Sequence, residues 1–167
     1  MIFRAIAIAG GLVGAAGLSQ FPDYSQQYTQ RLSGAVDELS GVVAQFDADA
    51  AGLGLNRDEA LEALHAGGRM GEARAISMGY VLERHQDLSR DLAALEGSTL
   101  AGKILNAKHL MDLELAHKTW ADFKPALPLS QAGLILTGLG FLAGYGVLVG
   151  MVSGLARLRR RRKSAQA

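Results

Sequence analysis

The residues best placed to do chemistry are two Glu-x-x-His pairs, Glu62-Ala-Leu-His65 and Glu114-Leu-Ala-His117. Positions three apart share a helix face, so each pair presents a carboxylate beside an imidazole. Di-iron carboxylate bundles use two such pairs plus one Glu from each of two further helices. Glu38 and Glu83 or Glu96 are the residues available for those places. The mounting is poor, because His65 stands beside Gly67-Gly68, a weak support for a rigid ligand. A helical chain with seven Glu and four His also produces such spacings by chance. The expectation is no resident metal and no cofactor, with Glu62, His65, Glu114 and His117 as weak candidates only. His85 and His117 fall on apolar helical faces and are expected to pack half-buried.

Other chemistries lack their residues. The chain has no cysteine, which excludes disulfides, thiolate nucleophiles, zinc–thiolate sites, iron–sulfur clusters and a lipoprotein anchor. There is no Gly-x-Ser-x-Gly elbow, no Walker sequence and no strand-linked Gly-x-Gly-x-x-Gly. Acidic residues are spread over helix surfaces, where solvation explains them. The chain is not expected to be an enzyme.

The elements that must carry these residues are set by two apolar arms. From Pro125 to Ala156 there are thirty-two residues without a charge, followed by Arg157, Arg159, Arg160, Arg161, Arg162 and Lys163. A helix over 131–156 would be about 39 Å long, against a hydrocarbon core of about 30 Å, and the basic cluster is its stop signal and anchor. Residues 5–21 would give only about 26 Å, a marginal span. That first arm also resembles a secretory signal, with Ala15-Ala16-Gly17 as a small-residue cleavage site. The expected organisation is 1–21 as a transmembrane helix or signal peptide, 22–124 as a periplasmic helical domain, 125–156 as a second transmembrane helix and 157–167 as a basic cytoplasmic tail.

Charge follows the same division. All sixteen acidic residues and ten of the basic ones lie within 23–124, leaving that stretch at −6, while the flanks hold seven basic residues and no acid. Lys and Arg keep to the cytoplasmic side, which places the middle outside. The basic tail is expected to meet anionic lipids. With no aromatic residue and a tether at the bilayer, it is not expected to bind nucleic acid. Neither arm carries an ionisable residue inside its apolar core, which argues against ion or proton transport.

Both arms are rich in glycine at four-residue spacing: Gly10 and Gly14 in the first, Gly140 and Gly144 in the second, then Gly146, Gly150 and Gly154. Such spacing lets helix backbones approach closely in lipid. Another copy, another membrane protein or the other arm are all open as the partner. Tyr145 is expected to hydrogen-bond across that seam.

The middle reads as helices. Tyr28, Leu32, Ala35, Leu39, Val42 and Phe46 alternate in steps of four and three, a coiled-coil-like seam. Gly52-Leu-Gly54 should end that helix, and Asn56 with Glu59 forms a capping-box pattern for a short one closed by Gly67-Gly68. A second long helix carries Met78, Val81, His85, Leu88, Leu92 and Leu95 on one face. Beyond Gly97, a third is predicted to carry Leu100, Ile104, Ala107, Leu110, Leu113, His117 and Trp120 on its apolar face. Helices leaving and re-entering one membrane face must make an even number of passes, so either the short helix counts as a pass or Gly97 only bends the chain. The fold class expected is all-α: two transmembrane helices enclosing an extended periplasmic bundle or coiled-coil-like hairpin.

Three stretches carry a family likeness: Ser19-Gln-Phe-Pro-Asp-Tyr-Ser-Gln-Gln-Tyr-Thr-Gln-Arg-Leu, Gly34-Ala-Val-Asp-Glu-Leu, and Trp120-x-x-Phe-x-Pro-Ala-Leu-Pro-Leu. Through them the chain resembles, over nearly its whole length, a family of two-span proteobacterial inner-membrane proteins catalogued as a domain of unknown function. The resemblance implies an inner-membrane location and a helical periplasmic segment, and supplies no activity, cofactor or catalytic residue. The function expected is that of a non-enzymatic accessory or scaffold protein acting through helix–helix association. The alternatives are a periplasmic sensor-like input module needing a partner for output, and a metal-binding helical bundle.

Overall fold

A computed structural model describes residues 2–125, 127 and 129–164 of the chain, the side chains of 2–3 and 155–164 excepted. Every regular element among them is helical. In chain order these are α1 (Ile2–Ser19), α2 (Phe21–Gly52), α3 (Arg57–Ala66), α4 (Gly68–Leu95), α5 (Leu100–Leu105), a 3-10 turn (Ala107–Leu110), α6 (Leu113–Asp122) and α7 (Gln131–Ser164). They fall into two compact units, Met1–Ser25 with Phe123–Ala167, and Gln26–Asp122.

In the first unit α1 and α7 pack side by side. Residue numbers rise on one helix as they fall on the other: Gly10 faces Leu148, Gly11 faces Phe141 and Gly14 faces Gly140, so the pair is antiparallel. Ser130 starts α7 by accepting the Gly133 N–H at 3.0 Å. No charge interrupts α7 before Arg157. The rings of Tyr24 and Phe123 meet edge to face with centroids 5.9 Å apart.

The second unit is built around α2 and α4. Ser40 Oγ and His85 Nε2 are 2.9 Å apart, while Phe46 and Met78 line one cavity, so these helices too run antiparallel. The end of α2 is set by Gly54, whose φ of +75° only glycine adopts without strain. Asn56 Oδ1 then accepts the Glu59 N–H at 3.0 Å, and Glu59 accepts the Asn56 N–H at 2.7 Å, the reciprocal box that starts α3. Arg57 clamps α3 back onto α2 through Asp47, with Nε to Oδ1 at 2.8 Å.

Two sequence expectations need correction. Val42, expected on the buried seam of α2, is 42% exposed, and Val43 is buried in its place. Leu32, Val43 and Ala50 are buried and Leu39 and Phe46 half-buried, so the seam keeps Leu32, Leu39 and Phe46 and exchanges Val42 for Val43. The 3.6-residue period of a straight helix and a 3.5-residue repeat separate slowly along a helix this long, so spacing alone leaves the phase loose.

The second correction concerns the helix expected from Leu100 to Trp120. It is broken into α5, the 3-10 turn and α6. Asn106 leaves the helix and its side-chain amide donates to the Ala94 carbonyl at 3.4 Å. Asp112 accepts the Leu115 N–H at 3.0 Å and starts α6 as its N-cap. His109 Nδ1 meets Asp91 Oδ1 at 2.7 Å, holding the 3-10 turn against α4. The segment after Gly97, itself at φ +67°, therefore folds back on α4. The restart changes which face is inside: Leu115 and Thr119 are buried, and Leu113, His117 and Trp120 point outward.

Candidate functional site

Three places in the structure concentrate specific geometry, one in the first unit and two in the second. In the first unit the backbones of α1 and α7 touch. A Cβ added at Gly14 would collide with the Gly140 carbonyl oxygen and lie 3.2 Å from the Gly144 Cα. One at Gly140 would lie 2.7 Å from the Gly14 carbonyl carbon and 3.1 Å from the Ala15 Cα, and one at Gly144 would lie 2.9 Å from the Gly10 carbonyl carbon. A Cβ at Gly10 would strike the Leu148 side chain, and one at Gly11 the Phe141 ring at 2.6 Å. Backbone-to-backbone approach of this kind allows dispersion and Cα–H contacts that any side chain would prevent. Gly146, Gly150 and Gly154 behave differently: nothing lies within 4 Å of a Cβ at any of them, so they line an open side of α7. Tyr145 does not bridge the two helices. Its ring stacks on Phe141 of its own helix, centroids 6.1 Å apart and planes 18° apart.

The second place is an apolar groove of about 720 Å³ between the far half of α2, α3 and the start of α4. Its floor includes Val42, Phe46, Leu53, Leu64 and Met78, and its charged lining residues are Glu38, Asp49 and Arg74. Asp49 accepts from Gln45 at 2.8 Å. Volume and lining fall within the range of sites that take small apolar ligands. Val42, unseated from the core by the shift in phase, lines this groove instead.

The third place is a polar node. Arg84 holds Asp112 with both guanidinium nitrogens, Nη2 to Oδ1 at 2.9 Å, and also reaches Glu114 at 3.5 Å. The Asp112 N–H donates to the Tyr28 hydroxyl at 3.2 Å, which joins α2, α4 and the start of α6. The Arg84 guanidinium holds the Asp112 carboxyl below the usual carboxylate range, and the Leu115 N–H adds to it. At the end of this unit Arg31 meets Asp122 at 2.6 Å. These pairs tie the helices of the second unit to one another.

The metal candidates stay apart. Among the described residues no three of His, Cys, Asp or Glu gather to hold an ion. Glu62 and His65 are exposed on α3. Glu114 is engaged by Lys118 at 2.7 Å and by Arg84, which lowers its carboxyl pKa, and His117 is exposed rather than half-buried. The side chains of Arg157, Arg159, Arg160, Arg161, Arg162 and Lys163 lie outside the described residues.

The sequence could not locate the groove or the node. The groove needs three helices assembled, and Arg84 and Asp112 are far apart in the chain with no local motif. Asn106 and Asp112 are the available signals for the broken third helix, since both residue types favour helix ends.

The surface of the first unit is strongly apolar. Only 11% of the apolar window of α7 is buried, and Leu12, Val13, Leu142, Val147 and Met151 stand exposed. A water-soluble core helix would be covered; a surface this apolar suits lipid. The fold is thus that of an all-helical protein with two helices long and apolar enough to cross a membrane. The chain belongs to the family described as "Protein of unknown function (DUF2937)", whose sequence profile matches residues 2–161. No curated protein and no solved structure matches it.

Proposed function

We propose that this protein is a non-enzymatic accessory or scaffold protein of a bacterial inner membrane, acting through helix–helix association. In this reading α1 and α7 cross the bilayer as a hairpin, and the second unit stands in the periplasm. The C-terminal basic cluster stays in the cytoplasm by the preference of Lys and Arg for that side. The observation that carries the reading is the glycine geometry of α7. One set, Gly140 and Gly144, is closed against α1, while Gly146, Gly150 and Gly154 are open at the same close-packing spacing. The open ladder is the surface offered to another copy or another membrane protein.

The test is a mild-detergent purification of the intact protein with Gly146, Gly150 and Gly154 replaced by Leu, compared with the unsubstituted chain. The substituted protein is expected to keep its helix content and to lose at least about tenfold of its associated partner or oligomer, the loss of a contact of roughly 1.4 kcal/mol. Retention of the same partners at the same stoichiometry would sink the proposal. Labelling the cells beforehand with an amine reagent that crosses only the outer membrane reads the orientation. Lys103, Lys108 and Lys118 should react and Lys163 should not.

The groove favours a second reading, a sensor-like input module that passes a ligand's presence to a partner. Native mass spectrometry of the protein released from nanodiscs would then find a bound small apolar molecule. Ala63→Trp, which fills the groove, would abolish that species. A bare protein mass from both would remove this reading.

A further inference from the structure

The groove between α2, α3 and α4 is long, apolar and charged at its ends. Its α2 wall runs from Gly41 to Leu53, about 18 Å of helix. Val42 and Leu53 line it and are 42% and 77% exposed, so apolar side chains stand open to water along the trough. Gly41 adds no side chain, and a Cβ there would meet nothing within 4 Å, which leaves the wall open at that level. A trough of this length and lining suits one extended alkyl chain better than a compact molecule.

Two charges of opposite sign mark the end nearer α3. Ser40 lies beside His85 and the two helices are antiparallel, so Asp49 on α2 and Arg74 on α4 stand within about one helical turn of the same level. No ion pair joins them, and Arg74 has no other ion-pair partner among the described residues. Asp49 accepts from Gln45 at 2.8 Å and keeps carboxylate lone pairs to spare. The third charged lining residue, Glu38, is exposed at the other end. A guanidinium and a carboxylate side by side but unjoined fit a zwitterionic headgroup, the phosphate on Arg74 and the cation on Asp49. A fatty acid would meet Asp49 as a like charge, and a simple amine would meet Arg74. Phe46 is the only aromatic residue among those described in the lining, too few to cage a quaternary ammonium, whereas a primary ammonium can donate to Asp49.

We infer that the groove binds a single-chain zwitterionic phospholipid, a lysophosphatidylethanolamine, with its head between Arg74 and Asp49 and its acyl chain running past Phe46 toward Gly41. The inference deepens the reading of the groove as an apolar-ligand site and rests on it. To test it, the full chain in nanodiscs is given a lysophosphatidylethanolamine with a photoactivatable diazirine in its acyl chain, and the adducts are mapped by peptide mass spectrometry. Adducts are expected on the groove walls of α2 and α4, competed by unlabelled lysophosphatidylethanolamine and much less by lauric acid, laurylamine or lysophosphatidylcholine. The double variant Arg74→Gln, Asp49→Asn should lower groove labelling by about tenfold, the worth of roughly one charge-assisted hydrogen bond. Gly41→Leu puts a side chain into the trough while favouring the helix, so it should abolish groove labelling with helix content unchanged. Groove labelling that ignores the Arg74 and Asp49 changes, or that the other amphiphiles compete equally, overturns the headgroup assignment and leaves an apolar-ligand site. No groove adduct, or adducts that survive Gly41→Leu, overturns the inference and the apolar-ligand reading together.

Discussion

Gly14→Ala, the smallest side chain that can be added, is expected to destabilise the α1–α7 pair by about 2 kcal/mol. The new methyl would meet the Gly140 carbonyl oxygen and the Gly144 Cα, backbone atoms that cannot rotate aside as a side chain would. Either the helices separate along their whole contact, losing dispersion at every other position, or both backbones distort. Alanine is the better helix former by about 1 kcal/mol, so a net loss would show the steric term prevailing. Gly140→Ala makes the reciprocal collision and should behave alike. Gly138→Ala is the control: its Cβ meets nothing within 4 Å, so the helix-propensity gain remains and stability should hold or rise. Thermal unfolding followed by circular dichroism in mild detergent reads the difference, about 4–8 °C lower for Gly14→Ala. Coincident melting of Gly14→Ala and the unsubstituted chain would mean that the close approach contributes nothing.

Asp112→Asn should cost the second unit about 2 kcal/mol, because it removes one charge of a pair largely withdrawn from water. The side chains of Arg84 and Asp112 are only 22% and 15% exposed. Asparagine caps a helix about as well as aspartate, so the Leu115 N–H keeps an acceptor and the loss reports the ion pair. Asp112→Ala removes the cap as well and should cost roughly 1 kcal/mol more. The pH dependence has a definite sign. Arg84 lowers the folded pKa of Asp112, so the stabilisation is complete above the unfolded value of about 4 and drains away as pH falls through the lowered folded value. Stability curves of the two proteins should therefore lie apart at neutral pH and converge below about pH 4. Curves that stay parallel through that window would show that the carboxylate is not the source.

Much of this architecture is legible in the sequence because it is local. The Asn56–Glu59 box needs four residues, and the structure contains it where spacing places it. The ends of α2 and α4 follow from Gly54 and Gly97, positions where the backbone turns through positive φ. What depends on phase is less legible. Val42 and Val43 are both apolar, and a seam of threes and fours chooses between them only once a partner helix is in place. The third helix shows a stronger version of the same limit. Its apolar residues do recur at helical spacing, yet Asn106 and Asp112 gain more as caps and bridges than as helix interior, and the restart inverts the face. The glycines stand out by spacing, but which helix each one meets is a property of the assembled pair. Arg84, Asp112 and Tyr28 come from three helices, so their meeting has no sequence signature.

The glycine contact also has a consequence for synthesis. The first half of the contact, Gly10 and Gly14, is made long before the second, with the whole of Gln26–Asp122 translated in between. At ordinary elongation rates that interval is on the order of ten seconds, far longer than a helix takes to form. During it the nascent α1 holds an unfilled close-packing face that any neighbouring small-residue helix can occupy, including the finished α7 of another copy. Chains made side by side on one messenger thus have a window in which to exchange first helices, and a swapped pair would bury the same glycines as the closed hairpin.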